Sequence, residues 1–144
     1  MTNKYLVACD GSPASDRALQ FAIKQAKVDG APILLAYIVE WSPYSFLTPQ
    51  ELEERHKDRS HEIKRVQTVV IDPLIRTIET EGIKAYSVIR YGKVAKVLAD
   101  IAKKEEVTQL FIGRTGQSSF TARVLGSVAG TMVQISSVPC TIVP

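Results

Sequence analysis

KYLVACDGSP, from Lys4 to Pro13, reads as a strand, a tight turn and the first residues of a helix. The stretch from Lys4 to Asp10 has a nearly unbroken apolar middle, as expected of a strand covered on both faces. Ser12 is placed to cap the following helix, and Pro13 suits its first position, where the missing N–H costs nothing. A buried strand that runs straight into a helix is the opening of a parallel α/β fold.

The rest of the chain repeats that alternation. Ala18, Leu19, Ala22, Ile23 and Ala26 form one apolar helix stripe, which stops near Gly30. Ile33 to Val39 is the second strand. Thr48-Pro49-Gln50-Glu51 is a capping box that opens a long helix. Ile63, Val66, Val70, Leu74 and Ile78 keep one face of that helix, and Asp72-Pro73 is expected to kink or break it. Ala85 to Arg90 is a weaker third strand, followed by a helix with Val94, Val97, Leu98, Ile101 and Ala102 on one side. Gln109 to Gly113 is the fourth strand, a helix runs from about Gly126 to Ser136, and Cys140 to Val143 is the fifth strand. Strands alternating with helices predict one open parallel sheet covered on both faces, in a single domain spanning residues 1–144.

Bulk properties exclude several classes of function. At 45% hydrophobic and 23% charged residues the chain has an ordinary globular composition. It has no apolar run of 18 residues, so no membrane span is expected, and its first apolar run is too short for a signal peptide. The cytoplasm is the expected location. A net charge of +3 without a basic stripe argues against a nucleic-acid partner. Cys9 and Cys140 sit in or beside apolar runs and read as small buried hydrophobes. His56 and His61, five residues apart on a helix, do not share a face, so no metal site is readable.

In an open parallel sheet, ligands bind at the carboxyl ends of the strands where the strand order reverses. Two strand ends carry suitable residues: Asp10-Gly11-Ser12 after the first, and Gly113-Arg114-Thr115-Gly116 after the fourth. The helix that begins at Gly126-Ser127 has no bulky side chain over its first amides, which makes it attractive to an anion such as phosphate. The competing explanation for the glycines is tight turns and close helix–strand packing. The chain contains no GxxxxGK[ST] loop, no GxGxxG after the first strand and no GxSxG elbow.

Gly113, Gly116, Gly126 and Ser127 together satisfy Gly-x2-Gly-x9-Gly-Ser, with Asp10-Gly11-Ser12 upstream and Ser137-Val138-Pro139-Cys140 before the last strand. In this combination the chain resembles the universal stress protein family over essentially its whole length. The resemblance implies a Rossmann-like five-stranded sheet in the order 3-2-1-4-5 and ATP bound as a regulatory ligand in a stress response. It places Asp10 at the ribose or adenine end, Ala8 lining that end, and Ile38 offering backbone groups to the base. Gly113, Gly116, Gly126, Ser127 and the Val128 amide would hold the phosphates. Gln117, Ser118 and Ser119 are further candidate donors, and Arg114 and Arg123 candidate cations. Ser127 is also placed to reach a Mg2+ ion carried by ATP. The family's habit of pairing last strands implies a homodimer through Cys140 to Val143.

Two other functions fit the same residues. One is a slow ATPase or nucleotidyl-transfer enzyme using the same pocket, although no nucleophile or general base is legible. The other is a nucleotide-free dimeric module whose loop from Trp41 to Pro49 presents apolar side chains to a partner.

Overall fold

The structure is a computed structural model that describes residues 2–40, 48–116 and 125–144. Five parallel strands, β1 (Tyr5–Cys9), β2 (Ile33–Glu40), β3 (Ala85–Gly92), β4 (Gln109–Gly113) and β5 (Cys140–Val143), lie in the order β3-β2-β1-β4-β5. The predicted sheet and its order are observed. The chain builds outward from β1 to β3, then returns to the other side of β1 for β4 and β5. The order therefore reverses between β1 and β4.

Strand periodicity sorts the core into two halves. Tyr5, Val7, Cys9, Ile33, Leu35 and Phe111 face one side, where they meet Leu19, Ala22, Ile23 and Ala26 of α1 (Pro13–Asp29). Leu6, Leu34, Ala36, Ile38, Leu110 and Ile112 face the other, against Leu98, Ile101 and Ala102 of α4 (Val94–Lys104) and Met132 of α5 (Ser127–Ile135). Burial on both faces is what the apolar run in β1 requires. The Tyr5 hydroxyl bonds Asp29 at the far end of α1, and the Tyr5 ring meets Phe111 edge-on at 5.1 Å between centroids. Cys9 and Cys140 are both free thiols.

Local signals set the helix ends. Ser12 Oγ accepts from the Ser15 amide at 3.2 Å, and Gly30 closes α1 in the left-handed region at φ 74°. The capping box forms as expected at the start of α2 (Pro49–Arg65), with Thr48 and Glu51 serving each other's backbone amides.

The long helix departs from expectation at Pro73. Instead of a break, a π-helical segment (Val66–Ile71) joins α2 to α3 (Asp72–Thr80). Proline removes one backbone donor, and a wider turn just upstream redistributes the remaining bonds. The Asp72 amide donates to the Gln67 carbonyl five residues back, and Gln67 Nε2 donates to Asp72 Oδ1 at 2.7 Å. The extra residue rotates the stripe. Val66, Ile71 and Ile78 are fully buried, whereas Val70 and Leu74 only pack against the cluster edge. Ile71→Ala should therefore cost about 2–5 kcal/mol of stability. Val69→Ala, at a side chain 61% exposed, should stay within about 0.5 kcal/mol. Urea midpoints that reversed this ranking would place the helix in an uninterrupted α register.

Candidate functional site at the reversal of strand order

The turn after β1 is built by its own polar residues. Gly11, at φ 79°, lets the chain reverse from strand to helix. The Ser12 amide then donates to Asp10 Oδ1 at 2.9 Å, an Asx turn that fixes the carboxylate. Ser15 supports the same turn. Its hydroxyl donates to the Ser12 carbonyl at 3.0 Å and accepts from the Asp10 amide at 3.4 Å. Ser12 and Ser15 are both buried, at 3% and 6% exposure. Ser15 escaped the sequence reading, although its three-residue offset from the cap Ser12 was a usable signal.

Across the reversal, β4 hands its chain to the glycine loop. The Arg114 amide donates to Val143 at 2.8 Å, which extends the β4–β5 edge by one residue. The Arg114 carbonyl accepts the Gly126 amide at 2.8 Å, so the two ends of the loop close on each other. Gly126 is the N-cap of α5, with extended backbone at φ −60° and ψ 154°. A Cβ there would lie 3.1 Å from the Arg114 carbonyl oxygen and 3.4 Å from Thr115 Cα. A Cβ on Gly116 would sit 3.5 Å from Asp10 Oδ2. The structure thus brings Asp10, Gly116 and Gly126 together at one point between β1 and β4.

Gly113 is different. It is buried, and a Cβ there would meet the backbone carbon and oxygen and the Cβ of Ala14 at 3.0 Å each. Close helix–strand packing therefore explains this glycine. Ala8 and Ile38 lie on the α4–α5 face of the sheet, Ala8 half-buried and Ile38 at 8% exposure. Ile38 is one residue beyond the last β1–β2 pair, Cys9 with Tyr37. Gln117, Ser118, Ser119 and Arg123 lie outside the described residues, as does the loop from Trp41 to Leu47.

The start of α5 lacks the devices that close α1 and α2. α1 and α2 carry side-chain caps and an acidic residue in the first turn, but α5 has neither. Among the described residues no side chain caps its leading amides, which carry the positive end of the helix dipole. Val128 is half-buried there, and Ser127 is exposed. Arg114 adds a cation whose Nε is buried without a hydrogen-bond partner. α4 also begins without a side-chain cap, but behind the edge strand β3 rather than at the reversal. No group of three or more His, Cys, Asp or Glu side chains arranged to hold a metal occurs among the described residues.

Two measurements check this geometry. Gly113→Ala should cost about 1–3 kcal/mol through overpacking on Ala14, whereas Gly116→Ala should leave stability nearly unchanged. Equal losses would mean that α1 does not press on β4 at Gly113. The second concerns Cys9, whose thiol burial pushes up to about 11 from an ordinary 9.0, chiefly by desolvation. A raised pKa means that the stabilisation is fully present below pH 9 and lost as pH climbs toward 11. Cys9→Ala should flatten that part of the stability–pH curve, and an unaltered curve would show the thiol to be solvated.

The universal stress protein family model matches residues 1–144. A universal stress protein of Mycolicibacterium smegmatis is 29% identical over 143 residues, covering 96% of this chain and 47% of that protein. The chain therefore spans about half the length of that relative. Universal stress protein YxiE of Bacillus subtilis is 28% identical over 147 residues and is matched over 99% of both chains. Among solved structures, universal stress protein UspA from Lactobacillus plantarum superposes with a TM-score of 0.88 at 22% identity, covering 99% of this chain and 97% of its own. A universal stress protein in complex with cAMP gives 0.70 at 19% identity, covering 99% and 96%. One from Archaeoglobus fulgidus in complex with dAMP gives 0.64 at 19%, covering 99% and 98%. With the family model matching its full length and the sheet order agreeing with the fold of solved members, the chain belongs to the universal stress protein family.

Proposed function

We propose that this protein binds ATP between β1 and β4 and uses it as a regulatory ligand in a stress response. The observation that carries the reading is the start of α5, bare of any capping side chain and positioned against Asp10 and Gly116. Such a helix end favours an anion. Two solved relatives of the same fold are complexes with the adenine nucleotides cAMP and dAMP, which supports an adenine ligand here.

In this reading the Gly126 to Val128 backbone and the Ser127 hydroxyl contact the phosphates. Gly116 keeps the opposite wall low, and Arg114 supplies positive charge. Asp10, held by the Ser12 amide, accepts from the ribose hydroxyls, with Ala8 and Ile38 beside the base. The residues fit the ligand on one count: among the described residues the buried Arg114 Nε has no hydrogen-bond partner. When bound, ATP would bring its own Mg2+, within reach of Ser127. No described residue is placed as a nucleophile or general base, which favours a ligand that is held rather than rapidly turned over. The four-residue edge strand β5, paired on one side to β4, supports a homodimer formed through Cys140 to Val143.

Thermal denaturation tests the nucleotide. ATP at 100 Kd should add about 2.7 kcal/mol, or about 5–10 °C in a domain this size. Gly126→Val should remove that shift while the ligand-free protein still melts cooperatively. A wild-type melting temperature unmoved by millimolar ATP and Mg2+ would refute the reading.

A further inference from the structure

α2 differs from every other helix among those described. None of its 17 residues is buried, and its one large aliphatic side chain in the first turns, Leu52, is 52% exposed. The helix is strongly polar along its whole length, so little apolar area holds it to the body. Its C-terminal boundary is the reverse. There the π-helical segment buries both its ends, Val66 and Ile71, completely, and Gln67 and Asp72 are bonded twice across it.

One side chain clasps the middle of α2 to the sheet. The Tyr91 hydroxyl, near the end of β3, donates to the Arg59 carbonyl at 2.6 Å. The Arg59 guanidinium lies over the same ring, 5.1 Å from its centroid. From Arg59 back to Pro49, a rise of 1.5 Å per residue carries the helix about 15 Å further.

We propose that α2, from Pro49 to Arg65, is a latched arm that opens as one unit, with the π-helical segment as its fixed root and Tyr91 as its latch. Released from the sheet, a 17-residue polar helix is marginal in water, so detachment and unwinding occur together. Val66 and Ile71 stop the unwinding at the root, and α3 and β3 stay folded. Opening uncovers the Tyr91 ring near the end of β3. The proposal holds whether or not the protein binds a nucleotide.

Hydrogen exchange of the ligand-free protein, followed by mass spectrometry, tests it. Peptides within 50–64 should exchange as one cooperative group, well ahead of 74–80. Tyr91→Phe, which deletes the latch bond and keeps the ring, should speed exchange of that group about fivefold and leave 74–80 and 85–90 unchanged. Gln67→Leu, which breaks the brace across the root, should extend the fast group into residues 66–71. If Tyr91→Phe leaves 50–64 unchanged, or accelerates α3 and β3 equally, α2 is an integral part of the fold and the arm does not exist.

Discussion

The contact between Gly113 and Ala14 fixes how closely the first helix lies on the fourth strand, and the rest of the site follows from it. Three Ala14 atoms stand 3.0 Å from where a Cβ on Gly113 would be, so no other residue fits without moving α1. That closeness adds to the β1–β4 pairing in holding the two sides of the strand reversal together. It brings Asp10 Oδ2, on the turn into α1, to 3.5 Å from where a Cβ on Gly116 would lie, on the loop out of β4. A looser packing would separate the carboxylate from the glycine loop and leave two unrelated turns.

Helix ends make the second half of the argument. The chain places Ser12 on α1, where it accepts from the Ser15 amide, and Thr48 with Glu51 on α2, where each accepts from the other's amide. At α5 it places Gly126 instead and forgoes both the cap and an acidic first turn. Glycine at an N-cap costs only a few tenths of a kcal/mol relative to a side-chain cap, and the Gly126 amide is held by the Arg114 carbonyl. In the proposed reading an anion in front of the helix adds an acceptor and the complementary charge. Arg114, with its buried Nε, adds to the same positive field.

Most of the fold was legible because its signals are local. The buried run in β1, the Ser12-Pro13 start, the capping box at Thr48 and the stripe of α4 each depend on a few adjacent residues, and each appears where expected. The stripe through the long helix was misjudged in part. Its period changes at the π-helical segment, and the sequence shows only Pro73, not which way the chain accommodates it. Ile71 is consequently buried in place of the Val70 and Leu74 that a uniform 3.6-residue period selects. At the site, the glycine spacing selected Gly113, Gly116 and Gly126 alike and could not separate the packing role of Gly113 from the other two. That distinction depends on Ala14, a hundred residues away in the chain. Ser15 went unnoticed because a serine inside a helix is usually only a surface residue.

The central claim is that the reversal between β1 and β4 holds the phosphates of ATP against the start of α5. Titrating isotope-labelled protein with ATP and Mg2+ and following backbone amide resonances tests it directly. The account predicts that the largest shifts fall on Gly126 to Ala129, with a second group on Asp10 to Ser12 and on Gly116. Resonances in these three places that stay fixed at millimolar ATP, or shifts gathered elsewhere on the sheet, would contradict it.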